Sequence, residues 1–175
     1  FWRNSNLDFK NFDTLINSLE KKPEKEFLRR ISDCEDEKIL KFLLKNNSKY
    51  NIINEKHVLE ILWECCQIPD FVKHTYGHHL EVISNVFNFL TSNKKRIPNL
   101  YMREKLNNLD KLNGNVDALA NRISNVRTWS YVANKKNWVQ NQDFWVERTK
   151  TLEDKLSDRL HEELTKSFID KRASV

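Results

Sequence analysis

Apolar residues recur along this chain at helical spacing, and almost nothing interrupts them. Phe9, Phe12, Leu15, Ile16 and Leu19 return every three to four positions and stop before Lys21-Lys22-Pro23, which predicts a first amphipathic helix. Asp33 is placed to cap a second helix, whose acidic start (Glu35, Asp36, Glu37) suits the positive end of a helix and whose apolar set is Ile39, Leu40, Leu43 and Leu44. Asn54 plays the same part for a helix carrying Val58, Ile61, Leu62 and Cys65, which ends at Pro69. Next comes a ladder of Tyr76, Leu80, Ile83, Phe87 and Leu90, spaced as one buried stripe.

Residues 91–99 read as a polar, basic connector containing Pro98. A helix with Leu100, Leu106 and Leu109 follows and closes at Asn113-Gly114-Asn115, a helix stop with a new N-cap and not a β-hairpin turn. Val116, Leu119, Ile123, Val126 and Ser130 line one face of the next helix. In a long last helix Leu152, Leu156, Leu160, Leu164 and Phe168 step by four, with Glu162 and Lys166 spaced to pair. No period-two run of useful length, fixed repeat or low-complexity tract occurs. The expectation is an all-α, irregular bundle of about six to eight helices with no substantial β-sheet. It divides into an N-terminal helical subregion, 1–93, and a basic helical subregion, 94–175.

Composition sharpens this picture. Among 175 residues there are only two glycines, Gly77 and Gly114, and three prolines. A phosphate loop of the Walker type and a G-x-G-x-x-G turn are therefore excluded. No run reaches the length of a membrane span, and no cleavable signal opens the chain. Cys34, Cys65 and Cys66 contain no C-x-x-C pair, which fits small buried thiols in a reducing, cytoplasmic setting. The first residue is Phe1 and the sole methionine Met102, so an expressed portion, a processed piece or a fragment of a longer chain is expected.

The net charge of +5 is concentrated in one segment. Residues 94–136 hold ten basic side chains and three acidic ones. A field of that kind attracts a polyanion and weakens with salt, and nucleic acid is the commonest such partner; a merely solvated lysine-rich face is the alternative. Lys94, Lys95, Arg96, Arg103 and Lys105 are candidates for diffuse phosphate attraction. On the helix beyond them Ile123 and Val126 face the core, while Arg122, Asn125 and Trp129 share an adjacent face. Arg122 and Arg127 are candidates for closer phosphate contacts and Trp129 for stacking on an unpaired base. Helix packing is the competing use of Trp129, Trp138 and Trp145.

Catalytic and metal chemistry find little support. His74, His78 and His79 lack the further ligands that zinc needs, and His161-Glu162-Glu163 lacks the second histidine of a metalloprotease motif. Carboxylates such as Glu153, Asp154 and Asp158 read as surface charges. No catalytic residue, metal ligand or cofactor is expected.

Four segments nevertheless carry a family resemblance. Trp2-Arg3-Asn4-Ser5 with Leu7-Asp8-Phe9, the run Leu62-Trp63-Glu64-Cys65-Cys66-Gln67-Ile68-Pro69-Asp70-Phe71, Asn121-Arg122-Ile123 with Val126-Arg127-Thr128-Trp129, and Leu152 to Asp158 with Leu160-His161-Glu162 and Leu164-Thr165 occur in that order over nearly the whole chain. They resemble one stretch of the alphaproteobacterial DExH-type helicases of superfamily two related to the mitochondrial RNA-degradosome helicase. The resemblance implies two RecA-like motor domains that bind ATP and Mg, followed by a helical region that closes over the strand; only that last region is matched here. The phosphate loop, DExH box and arginine finger are missing, so no ATPase activity carries over. The expected function is a helical accessory region that guides single-stranded RNA or DNA. The alternative is an interaction module docking on helicase motor domains or on a nuclease, and a stand-alone enzyme is the weakest reading.

Overall fold

The computed structural model describes residues 1–32, 34–46, 55–72 and 76–173. Asp33, Asn54 and His74, and the side chain of Tyr76, lie outside what is described. Among the described residues there are seven helices: α1 (Phe12–Leu19), α2 (Glu35–Asn46), α3 (Lys56–Cys66), α4 (Tyr76–Leu90), α5 (Asn99–Leu109), α6 (Val116–Asn134) and α7 (Gln142–Ala173). They contain no strand, only two isolated parallel bridges, Trp2 with Arg30 and Ile97 with Val139. The chain is all-α, as the spacing of its apolar residues predicts.

Two compact units form. The first contains residues 1–68 and 80–91, the second residues 69–79 and 92–175. In the first unit α1 starts in a capping box: the Asn11 side chain accepts from the Thr14 amide, and Thr14 Oγ1 accepts from the Asn11 amide. Helices α2 and α3 pack together and bury Ile39, Leu40 and Leu43 from one, and Leu59, Leu62, Trp63 and Cys66 from the other. The N-terminal segment lies alongside through Trp2, whose amide and carbonyl bond to Arg29 and Ile31. Next to it Arg3 stacks on the Trp63 ring at 5.4 Å and pairs with Asp36 at 2.8 Å.

The second unit is built on α6, which packs against α5 and more extensively against α7. The Asn113-Gly114-Asn115 turn behaves as its chemistry demands. Gly114 adopts φ +112°, and Asn115 caps α6 by accepting from the Ala118 amide at 2.9 Å. The core is filled by Met102 and Leu106 from α5, by Leu119, Ile123, Val126, Trp129, Val132 and Ala133 from α6, and by Trp145, Leu152 and Leu156 from α7.

Three details differ from the sequence pattern. Leu100, expected on the inward face of α5, is 61% exposed, because Met102 and Leu106 set that helix's buried face. The four-residue stepping of α7 is buried only as far as Leu156; Leu164 and Phe168 are exposed. A step of four turns 400° around a helix, so such a stripe drifts about 40° per step off the packed face. Glu162 also pairs differently from the expectation: Arg159 takes Glu163 at 2.5 Å and Glu162 at 3.6 Å, and Lys166 has no ion-pair partner among the described residues.

Candidate nucleic-acid interface

The basic residues expected to form a track stand in three places within the second unit. The first place is a pair of connectors, one leading into α5 and one joining α6 to α7. They are tied by the Ile97 amide, which donates to the Trp138 carbonyl at 2.7 Å. Ile97, Trp138 and Val139 turn inward and are buried. Their neighbours Lys94, Lys95 and Arg96 on one connector, and Lys136 and Asn137 on the other, are thereby left toward solvent. Arg96 Nη2 reaches Asn137 Oδ1 at 3.4 Å. Lys135 lies over the rings of Tyr131 and Trp138, at 5.7 and 5.5 Å.

Five cations thus share two adjoining loops, and among the described residues no carboxylate pairs with any of them. Both loops contain a left-handed residue, Lys95 at φ 53° and Asn137 at φ 66°. That conformation is ordinary for asparagine and uncommon for lysine. Three further donor groups hold the platform. Asn99 donates its amide to Gln140 Oε1 at 3.0 Å, Trp145 Nε1 donates to Asn99 Oδ1 at 2.9 Å, and Gln142 Nε2 donates to the carbonyls of Ala133 and Lys135. The last of these satisfies backbone acceptors that the end of α6 would otherwise leave open.

The second place is the surface of α5. Arg103 is exposed and has no partner among the described residues, whereas Lys105 lies over the Tyr101 ring at 5.3 Å. Two residues apart on a helix, these side chains face different directions and do not form one patch.

The third place is the body of α6, and here the expectations need correction. Arg122 Nη1 donates to the Lys111 carbonyl at 2.7 Å and to the Asn113 carbonyl, so its guanidinium fastens the turn between α5 and α6. Arg127 is more than half exposed but pairs with Glu153 of α7, Nε to Oε1 at 2.8 Å. Trp129 is only 4% exposed; its ring and that of Tyr101 meet edge-to-face with centroids 5.7 Å apart. A base cannot stack on a ring enclosed in this way, because α6 turns Trp129 toward the same core as Val126 and Ala133. A continuous strip joining Arg122 to the other cations is also absent. Lys135 lies 13 residues beyond Arg122, which along a helix is about 20 Å.

The geometry therefore gathers Lys94, Lys95 and Arg96 with two residues outside the sequence-derived set, Lys135 and Lys136. Their signal was the basic pair just after α6; what places them beside the other connector is the Ile97–Trp138 contact, which no local pattern encodes. In the first unit, Cys34, Asp36 and Glu37 are the one group of three metal-capable side chains among the described residues. Arg3 and Arg30 already engage its carboxylates, at 2.8 Å to Asp36 and 3.2 Å to Glu37. No helix among the described residues is long and apolar enough to cross a membrane. Comparison of the chain with protein-family models, with curated proteins and with solved structures gives no match.

Proposed function

We propose that this chain is a helical accessory region that holds single-stranded nucleic acid through its paired basic connectors, with nucleotide hydrolysis left to another polypeptide segment. The observation that carries this reading is the clustering of Lys94, Lys95, Arg96, Lys135 and Lys136 with no carboxylate paired to any of them among the described residues. Phosphates are attracted to such a cluster without base-specific contacts, which suits a surface that guides a moving strand. Arg103 and the exposed part of Arg127 extend the attraction weakly, and Arg122 acts by holding the fold. The helicase resemblance of the sequence points the same way, toward a region that follows the motor domains and closes over the strand.

Titration of a fluorescent single strand at several salt concentrations tests the proposal. Engagement of three to five phosphates gives a slope of log affinity against log salt of about −2 to −3.5 for single strands. The variant Lys94→Ala/Lys95→Ala/Lys135→Ala/Lys136→Ala binds with most of that slope removed. Unchanged affinity in this variant, or binding insensitive to salt, overturns the proposal.

A second reading, docking on helicase motor domains or on a nuclease, is favoured by one observation: Leu164, Phe168 and Ile169 are exposed on the last turns of α7. An apolar run of that kind is a common mark of a protein contact. Under this reading Leu164→Glu/Phe168→Glu abolishes association with the motor domains and leaves strand binding as it was.

A further inference from the structure

The proposed track lacks an aromatic group once Trp129 is seen to be enclosed, but a different ring stands at the edge of the cationic connectors. Phe144 lies in the first turn of α7 and is 59% exposed. Its position is fixed from two sides. Two residues before it, Gln142 bonds through its side chain to the Lys135 carbonyl. The residue after it, Trp145, is buried, bonds to Asn99, and holds its ring edge-to-face with that of Phe144 at 4.8 Å and 86°. A lone exposed apolar side chain is ordinary on a protein surface. This one is braced by a buried ring, on a helix start that is tied by hydrogen bonds to both basic connectors.

We infer that Phe144 is a stacking platform for an unpaired base, and that it gives the cationic connectors a preference for single strands over duplex. The inference rests on the strand-binding reading above and adds to it the side chain that distinguishes a single strand from a duplex. Lysines alone attract phosphate in either form, and a duplex offers the higher charge density. An aromatic face on the protein surface rewards only a base that is free to leave its own stack. The phosphates on either side of that base then meet Lys135 and Lys136 on one connector and Lys94 and Lys95 on the other. Because the ring is held by Trp145 before any strand arrives, little rotamer freedom is lost on stacking.

The test compares three fluorescent probes of about 12 nucleotides, within the range a single strand-binding domain covers: an oligothymidylate, an abasic strand with the same phosphates, and a duplex. Each is titrated into the full chain as wild type, Phe144→Ala and Phe144→Trp. The wild type binds oligothymidylate about 5- to 150-fold tighter than the abasic strand, the range that one stacked base supplies. Phe144→Ala removes that ratio and keeps the salt slope, and Phe144→Trp retains it. Thermal unfolding confirms that the variants are folded, as expected for a side chain already largely in solvent. Equal wild-type affinity for base-bearing and abasic strands, or a ratio that survives Phe144→Ala, overturns the stacking role while salt-dependent binding stands. Absence of binding to all three probes overturns the strand-binding reading itself.

Discussion

The amide of Ile97 donates to the carbonyl of Trp138 at 2.7 Å, and this contact determines which cations of the second unit are neighbours. It sets Lys94, Lys95 and Arg96 beside Lys135 and Lys136, 39 or more positions away in the chain. Charge removal on either connector should therefore count equally. Lys135→Ala/Lys136→Ala lowers single-strand affinity and flattens its salt slope by about 0.7 for each lysine lost, the same as Lys94→Ala/Lys95→Ala. Arg122→Ala leaves the slope near the wild-type value because that guanidinium is bound to backbone carbonyls. Fluorescence titration across a salt series measures all three.

Arg122 and Gly114 cooperate in one turn. A Cβ at position 114 would stand 3.0 Å from Ala118 Cβ and 3.3 Å from Arg122 Nη2, on a backbone with φ +112°. Gly114→Ala is expected to destabilise the second unit by about 1–3 kcal/mol. Arg122→Ala costs about 0.5–1.5 kcal/mol through the lost hydrogen bonds to Lys111 and Asn113. Removing the Arg122 side chain also relieves part of the crowding, so the double variant loses less than the sum of the two. Thermal unfolding of the three proteins checks this.

How far the sequence could be read follows from the range of the forces involved. Helices report themselves through spacing and caps, both local, so Gly114 with Asn115 and the core face of Ile123 and Val126 were legible. The Asn11–Thr14 capping box is just as local, but the apolar spacing that predicts α1 does not report it. Trp129 was not resolved by periodicity because Arg122, Asn125 and Trp129 do share a strip. Which edge of that strip is covered depends on where α5 brings Tyr101. Arg122 misled for a similar reason: a guanidinium at helical spacing fits a phosphate or a backbone carbonyl equally, and only the folded turn decides. Leu164 and Phe168 continue an apolar pattern that the packing of α7 does not use.

Asp110 couples the end of α5 to α7. Its carboxylate is 2.6 Å from Lys155 Nζ and 2.9 Å from Arg148 Nη2. The hydrogen bond from Lys155, reinforced by Arg148, holds this carboxyl below the usual aspartate range despite some burial. A carboxyl lowered in the folded state stabilises the fold above its unfolded pKa, so the contribution is whole at neutral pH and is lost as pH falls through the folded value. Acid destabilisation from this site therefore appears below about pH 4. Asp110→Asn costs about 1 kcal/mol at pH 7 and loses less on acidification than wild type. Urea unfolding at pH 7 and pH 3 measures the difference.

The three thiols differ in access. Cys65 and Cys66 are buried, and burial pushes the Cys66 thiol far up, away from the reactive thiolate. Cys34 is only partly covered. A maleimide applied to the native chain should label Cys34 first, with Cys65 and Cys66 following only under denaturant. Mass spectrometry of labelled peptides over time reads the order, and native labelling of Cys66 at the rate of Cys34 contradicts the burial of α3.

Glu37 is the most demanding charge in the first unit. It is 2% exposed, with Oε2 held by Arg30 at 3.2 Å and Oε1 facing Arg3 Nη1 at 3.5 Å without a hydrogen bond. Arg3 is shared: the same Nη1 takes Asp36 at 2.8 Å while its guanidinium lies over Trp63. Arg3→Ala therefore removes packing on the tryptophan and half of the charge compensation of a buried carboxylate. Breaking a buried pair from one side costs about 3–5 kcal/mol; because Arg30 stays in place, about 2–3 kcal/mol is expected here. Glu37→Gln relieves the stranded charge, so adding it to Arg3→Ala should recover about 1 kcal/mol. Arg3→Lys keeps a positive charge but cannot stack flat on Trp63 while bonding Asp36, and falls between wild type and Arg3→Ala. Thermal unfolding of wild type, Arg3→Ala, Glu37→Gln and the double variant forms the cycle, with Arg3→Lys measured beside it. Strict additivity of Arg3→Ala and Glu37→Gln would show that the two side chains do not interact, and would assign the loss to the Asp36 pair and the Trp63 stack.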